Sequence, residues 1–222
     1  GLEVGAFVPQ LHVAADARLR ARALLDAQRV PAGRCAVFAP FTTRPQKHWV
    51  EARWRELAHA VRDELGLVPV VLGGPADAAA AARICDGTPA VSFVGETRLT
   101  EAVALVGEAA LVVGVDTGLT HAGIGLARPT VALFGSTCPY RDAGRANVRV
   151  IWLGLDCSPC RRRPSCGGHF DCLAAIDSVR VVTEARAALA EASSDPVPAR
   201  TFSSRTVPIR PSPWSPACPP LA

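Results

Sequence analysis

The chain has 222 residues, 49% of them hydrophobic and 20% charged, which is enough apolar material to bury one sizeable core with an appendage. No apolar run approaches the roughly 20 residues that cross a bilayer, and residues 1–13 show no basic segment leading into an apolar stretch and a cleavage site, so the reading is a cytosolic globular protein. The net charge of +4 is small for this length and comes from arginines scattered along the chain, which argues against a nucleic-acid binder.

Residues 1–13 are apolar and carry no motif. Ala14–Gln28 has the helical period and good helix formers, and Arg34–Ala39 reads as a strand. A loop over Pro40–Trp49 follows, then an amphipathic helix to about Leu65 with Val50, Trp54, Leu57, Ala58 and Val61 at helical spacing. Leu67–Leu72 is the next strand; Gly73-Gly74-Pro75 turns it into an alanine-rich helix ending near Cys85. Ala90–Val94 reads as a strand, Leu99–Gly107 as a helix, and Leu111–Val115 as a short β-branched strand of the kind buried on both faces. After one more helix come an apolar run ending at Phe134, a strand over Val148–Leu153, a cysteine-bearing loop, and a helix over Asp177–Ala192. Ser193–Ala222 holds eight of the 19 prolines with almost no periodicity and is expected to be disordered. This alternation predicts an α/β fold, a doubly wound, Rossmann-like parallel sheet with right-handed crossovers, whose ligands bind outside the carboxyl ends of the strands.

The organising stretch is Leu111–His121. Asp116 falls at the carboxyl end of a strand, Thr117 is a candidate N-cap, and Gly118 lets a ligand approach the backbone. The N–H groups of the following helical turn suit an anion, most naturally a diphosphate. An ordinary βα turn with a capping Asp or Thr is the competing reading of these residues taken alone. Lys47 is the only lysine among the 24 basic residues. Thr42, Thr43 and Lys47 follow another strand and can reach the same edge, offering two hydroxyls and a point charge. Asp77, after the Gly-Gly-Pro turn, reads first as a helix-capping residue, and Gly95-Glu96-Thr97 follows a strand as well.

Two motifs in order carry a resemblance. Asp116-Thr117-Gly118-Leu119-x-His121, followed by Pro129–Phe134 and Gly135-Ser136-Thr137-x-Pro139, resembles the donor half of the lipopolysaccharide heptosyltransferases, glycosyltransferase family 9. Upstream, Pro40-Phe41-Thr42-Thr43-Arg44-Pro45-x-Lys47-x-Trp49 looks like that family's first donor-domain motif. The likeness covers roughly 37–189. It implies a GT-B glycosyltransferase that uses no cofactor and binds ADP-heptose for inverting transfer to the lipopolysaccharide inner core. It assigns Thr42, Thr43 and Lys47 to the donor phosphates, with Lys47 the catalytic stabiliser of the leaving diphosphate. Asp116, Thr117, Gly118, Leu119 and His121 fall to the donor sugar and phosphates. The resemblance further implies a nucleotide-sugar donor, a lipopolysaccharide acceptor, peripheral contact with the inner face of the inner membrane, and an acidic base on an acceptor domain. On this reading residues 1–33 are the end of that domain or a linker with a helix, residues 34–192 are the donor domain, and the chain is truncated. Alternatives are a family member with another nucleotide-sugar, or a nucleotide-binding remnant without activity. Within the same likeness, Asp77 and Gly95-Glu96-Thr97 are candidates for the ribose and the adenine.

Cys157-x-x-Cys160 with Cys166 and Cys172 is a second cluster. Four thiols in one loop can make a tetrahedral zinc site, but the second pair lacks CxxC spacing, and no metal is assigned. A zinc module binding nucleic acid through Arg161-Arg162-Arg163 needs a separate folded unit, which the short loop does not provide. Cys35, Cys85 and Cys138 read as buried or loop residues.

Overall fold

The computed structural model describes residues 9–31, 33–139, 143–161 and 163–194, and the proline-rich segment from Asp195 onward, expected to be disordered, lies outside them. Among the described residues no helix is long and apolar enough to cross a membrane. In chain order the elements are α1 (Ala15–Ala27), β1 (Cys35–Ala39), α2 (Glu51–Leu65), β2 (Val68–Val71), α3 (Ala78–Cys85), β3 (Val91–Ser92) and α4 (Leu99–Glu108), then β4 (Leu111–Val115), α5 (Gly118–Gly125), β5 (Thr130–Phe134), β6 (Val148–Trp152), α6 (Asp171–Ala174) and α7 (Ser178–Ser194). The strands form one six-stranded sheet in the order β3-β2-β1-β4-β5-β6, every neighbouring pair parallel. This is the doubly wound order that reverses direction between its first strand and the strand that starts the second half.

Successive strand residues face opposite sides of the sheet and helices cover both, which explains why the central strands β1 and β4 are apolar and buried throughout. Along β1, Ala36 and Phe38 join a core with Trp54, Leu57 and Val61 of α2, Ala81 and Ile84 of α3, and Val181 and Ala185 of α7. Cys35 and Val37 face the other way, into a core with Ala17, Ala21 and Leu25 of α1, Leu105 of α4 and Ala122 of α5. Helix α1, which the sequence grouped with a linker, thus packs into this sheet's own core. Its Arg18 and Arg22 also reach Glu108 at the end of α4, at 3.5 and 3.0 Å. Helix α2 starts one residue later than the apolar spacing suggested, because Val50 is its extended N-cap and 41% exposed. It stops at Gly66, whose φ of +63° is the left-handed conformation that glycine adopts without a Cβ penalty.

Candidate functional site

The reversal in strand order lies between β1 and β4, so the loops leaving these strands diverge and open a crevice between them. The β1 loop carries Thr42 and Thr43 and then a three-residue 3-10 turn, Pro45–Lys47. The β4 loop carries Asp116 and Thr117 and leads into α5. A cavity of about 770 Å³ fills the crevice, and all of Thr42, Thr43, Lys47, Asp116, Thr117, Gly118, Leu119 and His121 line it. Asp77 and Thr97 line it too, from the loops after β2 and β3, while Phe41, Leu72, Leu99 and Ala102 add apolar wall.

The sharp turn from β4 to α5 depends on Gly114 and Thr120. The buried Thr120 donates its hydroxyl to the Val115 carbonyl at 2.7 Å. A Cβ on Gly114 would run into that hydroxyl and into Ala39 on β1, so only glycine fits the strand here. Thr117 is the extended N-cap of α5, as its position suggested, but its side chain makes no capping hydrogen bond. The N–H groups of the first helical turn have no intrahelical acceptor, which leaves the mouth of α5 electropositive. Gly118 has nothing within 4 Å of where a Cβ would stand.

Asp116 is the hub. Its Oδ2 lies 2.6 Å from the Lys47 ammonium and accepts the Thr137 hydroxyl at 2.7 Å; its Oδ1 accepts Nε2–H of His121 at 3.0 Å. Lys47 also donates to the Asp116 carbonyl at 3.3 Å. Burial by itself pushes the Asp116 carboxyl up, but the hydrogen bonds from His121, Lys47 and Thr137, together with the lysine's charge, outweigh it and hold the group well below the usual carboxylate range. Asp116 is therefore ionised, and the sequence-based picture of Lys47 as a charge aimed only at phosphate needs amending: two of its three N–H donors are directed to Asp116. Thr137, in the segment Gly135-Ser136-Thr137, gains its role from the bond to Asp116, which sequence spacing does not reveal. Asp77 caps, as expected, though not α3: its carboxylate accepts the Gly74 N–H at 2.8 Å and closes the 3-10 turn Pro75–Asp77.

The cysteines arrange themselves differently. Cys172 is buried, and burial together with the nearby Cys157, Cys160 and Cys166 pushes its thiol up to about 11. Burial and the neighbouring Cys166 and Cys157 raise Cys160 as well. Yet among the described residues no group of three His, Cys, Asp or Glu side chains is placed to hold a metal ion. Cys35 is buried and Cys85 half-buried; Cys138, exposed in the loop after β5, is disulfide-bonded.

A parallel sheet with a cavity at its topological switch point, lined by hydroxyls, a lysine, an aspartate and a helix mouth, defines a Rossmann-like α/β domain. The family model for glycosyltransferase family 9 (heptosyltransferase) matches residues 1–170, and the chain belongs to that family. It is 37% identical over 139 residues to lipopolysaccharide heptosyltransferase 1 of Salmonella typhimurium, an alignment covering 63% of this chain and 43% of that one. Among solved structures it is similar to E. coli ADP-heptose lps heptosyltransferase II, with a TM-score of 0.69 and 26% identity over 86% of this chain and 56% of that one. It is also similar to E. coli heptosyltransferase WaaC with ADP-2-deoxy-2-fluoro heptose, with a TM-score of 0.53 and 29% identity over 74% of this chain and 47% of that one. The chain thus matches about half or less of the length of these relatives. The fold neighbours share the GT-B architecture expected from the sequence.

Proposed function

We propose that this chain supplies the donor-binding half of an inverting glycosyltransferase that takes ADP-heptose and serves lipopolysaccharide inner-core assembly on the cytoplasmic side of the membrane. The observation that carries this reading is the Lys47–Asp116 pair, with Thr137 and His121, set in a cavity of about 770 Å³ against the mouth of α5. Because Lys47 and Asp116 neutralise each other, recognition of a diphosphate rests on the third lysine donor, the hydroxyls of Thr42 and Thr43, and the first-turn N–H groups of α5. These groups favour the departing diphosphate over the bound ground state, since negative charge on its oxygens grows as the sugar leaves. Asp116, locked as an ionised acceptor, is suited to receive sugar hydroxyls rather than to take a proton. The base that activates the acceptor must stand across the anomeric carbon, and we assign it to an acceptor-binding domain facing this crevice. Gly73, Asp77 and Thr97 line the same cavity, and we assign them to the nucleoside end of the donor.

Calorimetric titration of ADP and of ADP-heptose into the purified chain tests the reading. Binding in the micromolar to millimolar range is expected, because a partner domain normally completes such a site. Transfer to a truncated lipopolysaccharide acceptor should require addition of the acceptor domain. Ordinary turnover by residues 1–222 alone would mean that the acceptor base lies within them.

A further inference from the structure

Lys47 and Thr137, two of the three side chains that hold Asp116, both stand on irregular backbone. Lys47 ends a three-residue 3-10 turn and Thr137 lies in the loop after β5. Neither turn nor loop fixes a side chain as a helix or strand does, and a functional constellation needs its members held to within about 0.5 Å. Something outside these loops has to hold them.

The cysteine-bearing segment between β6 and α7 makes the connection to both. On one side, the Ser158 hydroxyl donates to the Gly135 carbonyl, and the Arg161 N–H donates to the Ser136 carbonyl at 2.6 Å. On the other, the buried Gln46 side chain donates Nε2–H to the Arg161 carbonyl at 3.1 Å, and the buried Trp49 indole donates to the Ile176 carbonyl at 2.9 Å. The backbone of one residue, Arg161, therefore takes hold of the residue before Thr137 with its N–H and of the residue before Lys47 with its carbonyl. Its φ of +56° is a conformation that residues with a side chain adopt rarely and that neighbouring bonds must sustain. Gln46 is a polar side chain only 7% exposed, and its amide is directed to the Arg161 carbonyl.

Building on the donor-site reading above, we propose that the cysteine segment is a strut, and that Gln46, through the Arg161 backbone, is a positioning residue that sets Lys47 and Thr137 around Asp116 and so sets the affinity for the diphosphate of the donor. This gives the segment a role that the thiol spacing alone did not suggest. Of its cysteines, Cys172 serves as packing: its Sγ crowds the place where a Cβ on Gly135 would stand, so the β5 loop lies close against α6.

The test uses the full chain and ADP as the calorimetric probe, with thermal melting to confirm that each variant is folded. Gln46→Leu and Ser158→Ala are each expected to weaken ADP binding about 3- to 10-fold, the effect of one hydrogen bond lost to the positioning network. In a Thr137→Val background the further loss from Gln46→Leu should be smaller than in the wild type, because both changes act through the same hold on Asp116. A general loosening of the fold would instead multiply the two effects. If Gln46→Leu fails to fold, Ser158→Ala carries the comparison against Thr137→Val. Folded variants with wild-type ADP affinity, or effects that multiply independently, overturn the strut. Failure of the wild-type chain to bind ADP overturns the donor-site reading and the strut with it.

Discussion

Two clusters of chemically capable side chains lie in loops that follow strands of the same sheet, and they behave oppositely. Around Asp116, groups of unlike charge converge: an ammonium, a hydroxyl and an imidazole all reach one carboxylate within 3.0 Å, and together they drive its pKa down despite burial. Around Cys172, groups of like kind gather without converging, and burial together with the neighbouring thiols pushes Cys172 and Cys160 up. Complementary partners create a fixed charge distribution that a ligand can read. Four thiols in electrostatic reach, with no shared point of approach for a metal among the described residues, do not. Composition within a loop is therefore weaker evidence of a site than the complementarity of what meets there.

The largest effect expected from breaking this contrast is at Gly118. Gly118→Val places a branched side chain in the mouth of the cavity, where a Cβ meets nothing, so ADP binding should be abolished while the melting temperature changes little or rises. A large loss of stability would show that the position is structural.

Asp116→Asn separates charge complementarity from shape. The wild-type carboxyl is held below its ordinary value of about 3.9, so it contributes stability that is fully present above roughly pH 4 and is lost as pH falls toward its depressed native value. At neutral pH the variant should be less stable by about 1–2 kcal/mol. Denaturant titrations at several pH values should show the two proteins converging below about pH 4. A difference that stays constant with pH contradicts the ion-pair account.

Most of the crevice was legible in the sequence because parallel sheets bring every carboxyl-end loop to one edge, so residues after separate strands need only be counted to be placed together. Thr42, Thr43, Lys47, Asp116, Thr117, Gly118, Leu119 and His121 follow from this rule together with the family resemblance. Thr137 was not given a role because its partner lies 21 positions away and the contact depends on β4 and β5 being neighbours in register, Val115 opposite Leu133. Gln46 was invisible for the same reason at greater distance, since its acceptor lies 115 residues on, in a loop whose path no periodicity describes. The short helix α6 escaped notice because it begins after Phe170 at a φ of +50°, with no N-cap residue to announce it.

On the cysteine side, Trp49→Phe keeps the ring packed on Trp54 but leaves the Ile176 carbonyl without its donor. A loss of about 1–3 kcal/mol in urea denaturation is expected. The smallest effect concerns metal: dialysis against a chelator should leave both ADP affinity and melting temperature unchanged, and release of one zinc per chain with loss of binding would reverse the contrast between the two clusters.

The most direct measurement of the central claim is ADP titration of Lys47→Ala beside the wild type. Removing the ammonium takes away a charged donor to phosphate and frees Asp116 to repel it, so affinity should fall by at least about 10-fold, or 1.4 kcal/mol, with the fold intact. Unchanged affinity for ADP in the folded variant would mean that the diphosphate binds somewhere other than the crevice between β1 and β4.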